Sequence, residues 1–115
     1  MYQDDAALLL DMLIAARQAR SYVEGVTLAW YYSGQMLQDA LVYQVQVVGE
    51  AASRLSSGFK EAHSEIPWAD IVGMRHRVVH DYRRINRDIV WQAAQDDLPQ
   101  LIAALEPLVP SEPEE

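Results

Sequence analysis

Apolar side chains recur at spacings of three and four along most of the chain. Leu8, Leu9, Met12, Ala15, Ala16, Ala19 and Val23 draw one stripe, which predicts an amphipathic helix over about residues 4–23. Asp4 and Asp5 suit the N-terminal end of its dipole, Arg17 and Arg20 its C-terminal half, and Glu24-Gly25 its stop. Met36, Leu37, Ala40, Leu41, Tyr43, Gln44, Val47, Val48, Ala51 and Leu55 predict a second helix over about 34–55, with a broad apolar face. Gly49 in its middle costs about 1 kcal/mol relative to Ala, and close approach of another helix would justify it. Ser56-Ser57-Gly58 ends that element, and residues 59–66 read as a linker holding at most a turn of helix. Pro67, whose missing N–H is not needed there, opens a third helix through Trp68, Ile71, Val72, Arg75, Val78 and Val79 to about His80. Residues 81–85 read as a loop. Asn86 reads as the N-cap of a fourth helix carrying Ile89, Val90, Trp91, Ala94, Leu98, Leu101, Ile102 and Leu105. Pro99 inside that run should bend or divide it.

No stretch alternates as a strand does, so the pattern predicts an all-α antiparallel up-and-down four-helix bundle. With 115 residues, half of them apolar, the chain has the size of one domain and enough apolar material for a core. We expect the bundle over residues 1–106 and an acidic, proline-rich, disordered tail over 107–115. Apolar surface left over in so small a domain would favour self-association. There is no Cys, which removes disulfides, thiol catalysis and Cys-ligated metal sites. The first residues are acidic, without the basic start of a signal peptide, and no apolar run reaches the ~18 residues of a membrane span. The expectation is a cytoplasmic domain that does not enter a membrane.

Charge alters this picture in one place. The net charge is -8, which excludes a uniformly basic nucleic-acid coat. Yet Arg75, Arg77, Arg83, Arg84 and Arg87, five of the nine basic residues, fall within 13 positions. Asp81 is the one acid among them, so this segment stands at +4 and the remaining chain at -12. Arginines suit bidentate phosphate contacts, or they pair with the surrounding carboxylates on a solvated face. His76 and His80 lie inside the cluster and favour an anion site. Trp30, Tyr31 and Tyr32 read as packing against a neighbouring helix or a partner chain, or as a base-stacking surface.

The segment Arg75-His76-Arg77-Val78-Val79-His80-Asp81-Tyr82 gathers a guanidinium, imidazoles, a carboxylate and a phenol. On a regular helix Arg75 and His80 stand about 140° apart. They meet only if the Arg side chain reaches around, the helix loosens at His80, or two chains pool their residues. Three chemistries fit the residue types. His76 and His80 could hold a metal at i and i+4, but Asp81 is the one further ligand in reach of the pattern and the arginines would repel a cation. His80 could bond the last helix carbonyls while Tyr82 caps the core. Or His80 could exchange a proton near its ordinary pKa of ~6.5 while Arg75 stabilises charge on a phosphodiester. RNA brings its own nucleophile, the 2′-OH, so that chemistry needs neither Cys nor metal.

Arg75-x4-His80-x-Tyr82 resembles the Arg-x4-His-x-Tyr motif of the HEPN superfamily, in its HepT-like branch of toxin–antitoxin ribonucleases. The flanks are similar too: Val48-Gly49-Glu50-Ala51-Ala52 in helix two, Ile66-Pro67-Trp68 with Ile71-Val72-Gly73-Met74 leading into Arg75, and Asp88-Ile89-Val90-Trp91 with Asp97-Leu98-Pro99 in helix four. The resemblance covers nearly the whole chain before the tail. It implies a HEPN-like bundle that forms a homodimer, with two Arg/His pairs in a cleft between protomers. It implies a metal-independent endoribonuclease toxin acting on mRNA or tRNA, with no cofactor and no DNA partner. His80 would transfer the proton and Arg75 would hold the phosphate. Glu50 would be a buried partner for Arg75, with His76, Arg77, Asp81, Arg83 and Arg84 as supporting or RNA-binding residues. Tyr82 takes the position that an MntA-like nucleotidyltransferase antitoxin modifies with AMP, as in a type VII-like pair; the added bulk and negative charge would block RNA. Many relatives carry Asn directly after the motif Arg. This chain has His76, a second titrating group whose charge and that of His80 would each lower the other's pKa. An alternative of a different class is a non-catalytic nucleotide- or substrate-binding partner of a minimal nucleotidyltransferase.

Overall fold

A computed structural model of the chain describes residues 3–81 and 84–110, with Gln3, His80 and Asp81 as backbone only. The order is α1 (Gln3–Val23), α2 (Leu28–Ser33), α3 (Gln35–Arg54), α4 (Ser57–Ala62), α5 (Trp68–Val78), β1 (Val79–Asp81), β2 (Arg84–Ile85), α6 (Arg87–Gln92), a π-helical turn (Ala93–Asp97) and α7 (Leu98–Leu105). α1 packs on α3 and α7, and α3 packs on α5. The stripe of α1 buries Leu9, Met12, Ala15, Ala16, Ala19 and Val23, and α1 stops just before Gly25, whose φ of 72° is the left-handed conformation that glycine tolerates. Leu41, Val45, Val48 and Ala52 of α3 meet it. Gln44 of α3 donates to Gln18 Oε1 (2.9 Å) and Tyr22 Oη (3.0 Å), fixing α3 against α1 by a polar pin beside the apolar contact.

The four long helical segments predicted from the periodicity are present, and the short elements between them correct the expectation. Residues 28–33 form a helix because Thr27 caps it, accepting from the Trp30 N–H at 3.2 Å. α3 ends at Arg54 as the sequence suggested, and Ser56 also starts α4: its Oγ accepts from the Phe59 N–H, and Phe59 turns inward against Trp68. The third helix stops at Val78, two residues early, and the chain turns into an antiparallel β-hairpin pairing Val79 with Ile85 and Asp81 with Arg84. The expected loop over 81–85 is thus partly β2. β-branched Val78 and Val79 loosen the helix, and the Asn86 N–H closes the hairpin on the Val78 carbonyl at 2.7 Å. Pro67 is the N-cap of α5, and Asn86 caps α6 through Ile89 N–H.

Pro99 divides the last helical run by way of the π-helical turn. In that register the Ala94 carbonyl faces the nitrogen of Pro99, which has no hydrogen. Arg20 supplies the missing donor, at 2.8 Å to Ala94 O and 3.0 Å to Gln95 Oε1. Leu108 and Val109, expected in the tail, pack against the core. Residues 111–115 lie outside the described residues. Among the described residues no helix is long and apolar enough to cross a membrane.

Asp5 is nearly enclosed at 2% exposure. It accepts from Ser56 N–H (2.8 Å) and Ser56 Oγ–H (2.6 Å), tying the start of α1 to the start of α4. These hydrogen bonds hold its carboxyl below the ordinary carboxylate value. A lowered folded pKa stabilises the fold above the unfolded pKa, and that share is lost as acid protonates the folded carboxylate. Asp5→Ala is expected to cost about 1–3 kcal/mol at pH 7, because both Ser56 donors lose their acceptor. Urea unfolding at pH 7 and at pH 3 checks this: the difference from wild type should narrow below about pH 4.

Candidate functional site

The motif segment straddles the end of α5 and the hairpin, and α3 is the wall it leans on. Gly49 is buried in the middle of α3. A Cβ there would lie 3.3 Å from Arg75 Cδ and 3.5 Å from Arg75 Cβ and Cγ. The absence of that carbon is what lets the Arg75 stem lie flat across α3. The close approach anticipated from a mid-helix glycine is therefore real, and the group it admits is the motif arginine itself. One residue on, Glu50 Oε2 accepts from Arg75 Nη1 at 2.6 Å. Adjacent residues of α3 thus seat the stem and hold the head.

Glu50 is the partner of Arg75 that the sequence suggested, but it is not buried: its side chain is 57% exposed and that of Arg75 32%. The guanidinium has five N–H donors, and one contact leaves others to meet an anion. A pocket of 300 Å³ beside Glu50, lined by Tyr43, Val47 and Arg54 among others, opens on the α1–α3 face. Tyr43, 62% exposed, and Met36, 88% exposed, were expected on the apolar face of this helix; both look outward instead.

The other predicted residues separate. His76 and Arg77 are exposed on α5. Arg77 stands about 200° from Arg75 around the helix and lines a different cavity, of 640 Å³, with Asp70, Met74, Asp97 and Leu101. Burial raises the carboxyl of Asp97 there, and the charge of Arg77 opposes that rise. Arg84 is exposed on β2 opposite Asp81. The backbone of His80 is extended in β1, so the helix does end before it, and the 140° separation of a continuous helix does not apply. The side chains of His80 and Asp81 and the whole of Tyr82 and Arg83 lie outside the described residues.

The aromatic run at 30–32 also divides. Tyr31 is fully buried, packs on Trp91 at 4.8 Å between ring centroids, and donates its hydroxyl to the Arg87 carbonyl at 2.6 Å. Burial pushes its phenol up to about 12, so it remains a donor across the neutral range. Trp30 and Tyr32 are exposed, at 75% and 36%. Tyr31 carries no base-stacking surface; it joins α2 to the start of α6.

A model of the "Ribonuclease HepT-like" family matches residues 12–108, which span both walls of this site. The chain belongs to the HepT-like family. Among curated relatives of this HepT-like protein is one from Caldanaerobacter subterraneus subsp. tengcongensis, named "Putative RNase", 33% identical over 69% of this chain and 70% of its own length. A "Probable ribonuclease HepT" from Thermococcus cleftensis is 31% identical over 62% of this chain and 64% of its own. A "Putative RNase" from Methanocaldococcus jannaschii is 24% identical over 86% of this chain and 91% of its own. No solved structure matches the HepT-like chain.

Proposed function

We propose that this HepT-like protein is an endoribonuclease that cleaves RNA without metal, with Arg75 on the phosphate and His80 moving the proton. The observation that carries the reading is Arg75. It is seated on Gly49 and held by Glu50 with donors to spare, within a chain that matches a ribonuclease family over residues 12–108. The chemistry balances with RNA alone. The 2′-OH gives its proton to a base, O2′ bonds to phosphorus, the P–O5′ bond breaks and O5′ takes up a proton. His80 at neutral pH serves one or both transfers, and Arg75 stabilises the charge gathering on the non-bridging oxygens. The supporting arginines, Arg83 and Arg84, would hold flanking phosphates.

We further propose a homodimer whose cleft pools two such sites. What supports it is the outward apolar surface of α1 and α3, where Ile14 is 45% and Tyr43 62% exposed and Val47 is part-buried. In a toxin–antitoxin pair, a nucleotidyltransferase partner would silence the site by adding AMP to Tyr82. The bond formed joins Oη to the α-phosphorus of ATP, and pyrophosphate leaves. Such a group adds bulk and negative charge beside the arginines that receive RNA.

The deciding experiment is cleavage of total RNA in EDTA by wild type beside Arg75→Ala and His80→Ala. Loss in both variants, with the helical circular dichroism kept, is the expected result. Equal cleavage by all three would remove both residues from the chemistry. Intact mass of the same wild-type sample shows whether Tyr82 carries AMP.

A further inference from the structure

A second cluster, outside the Arg75 site, sits where the α2–α3 junction meets the start of α6. The guanidinium of Arg87 lies over the ring of Tyr32, 5.4 Å from its centroid. Among the described residues no carboxylate pairs with Arg87. The two line a notch of 390 Å³ together with Ile85, Gln35, Gln38 and Asp39. An exposed ring, a planar cation over it, one apolar wall and a row of amide and carboxylate groups are the parts that hold a flat heterocycle with polar edges.

The polar edge is mixed. Gln38, buried at 6% exposure, spends both amide hydrogens on the backbone, donating to Tyr31 O at 2.9 Å and Tyr32 O at 3.3 Å, which leaves Oε1 as an acceptor. Asp39 accepts when ionised, while Ser33, Gln35 and Arg87 can donate. Such an edge can meet both the donors and the acceptors of a base.

The notch is also held in fixed relation to the motif. Tyr31 Oη bonds the Arg87 carbonyl, Asn86 N–H bonds the Val78 carbonyl, and Ile85 pairs with Val79. One short rigid path therefore runs from the end of α5, through the hairpin, to the platform. Along α3, Asp39 and Glu50 are eleven residues apart, about 17 Å. A strand of RNA with a phosphate at Arg75 would pass this notch a short way along its length.

We propose that the notch is a base-binding subsite for single-stranded RNA, with Tyr32 and Arg87 as its platform. The proposal rests on the reading that RNA is the substrate. The probes are 2′-O-methyl octamers of A, C and U, which cannot supply the 2′-OH nucleophile, and AMP alone. With A8, Tyr32→Ala is expected to weaken binding about tenfold or more, the scale of one lost base–aromatic stack, and Arg87→Gln several-fold. Tyr32→Phe should bind as wild type. Unchanged affinity in Tyr32→Ala, or an equal loss in Tyr32→Phe, overturns the subsite. If Tyr32→Ala cleaves and binds RNA as wild type does, the subsite falls while the ribonuclease reading stands. If AMP and A8 bind through Tyr32 but no RNA is cleaved, the subsite stands and the ribonuclease reading falls. If neither AMP nor any octamer binds wild type, the subsite falls outright.

Discussion

His80→Ala is expected to lower RNA cleavage by roughly 10²–10⁴-fold, the usual contribution of a positioned general acid or base, while leaving the thermal midpoint nearly unchanged. The loss should fall on kcat more than on KM, because proton transfer acts in the transition state and adds little to ground-state binding. His80 belongs to the extended strand β1, and its backbone is fixed by pairing on either side, at Val79 with Ile85 and at Asp81 with Arg84. His76 sits four residues earlier, on the exposed surface of α5. Removing it with His76→Asn should leave kcat within a few-fold. Cleavage of a defined oligoribonucleotide at neutral pH reads both variants; a loss in His76→Asn as large as that in His80→Ala would place His76 in the chemistry.

Gly49→Ala should separate folding from activity. Alanine is favoured over glycine in a helix interior by about 1 kcal/mol, yet its Cβ would stand 3.3 Å from Arg75 Cδ. The nearest atom belongs to a flexible side chain rather than to backbone, so Arg75 moves aside and α3 stays whole. We expect a thermal midpoint at or slightly above that of wild type. Cleavage should fall several-fold, because relieving the contact shifts the Arg75 stem by a few tenths of an ångström, short of the ~1 Å misplacement that costs about 10²-fold. Arg75→Ala removes the charge altogether and is expected to cost about 10²–10³-fold. In the Arg75→Ala background, Gly49→Ala should stabilise the fold and change the residual rate no further. That non-additivity is the signature of a glycine acting through the arginine. Independent, multiplying losses would show that Gly49 acts elsewhere.

Glycine beside glutamate in the middle of a long helix was legible in the sequence, as was the need for a neighbour at that point. That the neighbour is Arg75 was not, because helical periodicity gives the face of α3 but not the depth or angle at which α5 crosses it. Asn86 and Gly25 were legible as a cap and a stop, since each works through bonds within a few residues. The end of α3 just before Ser56 was legible, but the short helix that Ser56 caps was not read there, although its bond to the Phe59 N–H is local; its bond to Asp5, 51 residues away, follows from no local rule. Met36 and Tyr43 carry helical spacing yet face outward. Periodicity marks apolar positions and does not say how wide a stripe the neighbouring helices cover.

The four long helical segments, the arginine-rich span, the spacing of Arg75, His80 and Tyr82, and the opposite facing of Arg75 and Arg77 were legible along the chain, because they depend on local propensity and helical order; the Arg75–Glu50 pair was already suggested by the resemblance. Tertiary packing decided that the Arg75 stem lies on Gly49, that its pair with Glu50 stays exposed, and that the helix yields to a hairpin before His80. It also decided that Tyr31 goes inside while Tyr32 stays out beneath Arg87. The Arg75–Glu50 and Tyr31–Arg87 contacts join residues 25 and 56 positions apart. Each depends on how two packed surfaces meet, and local propensity does not encode that.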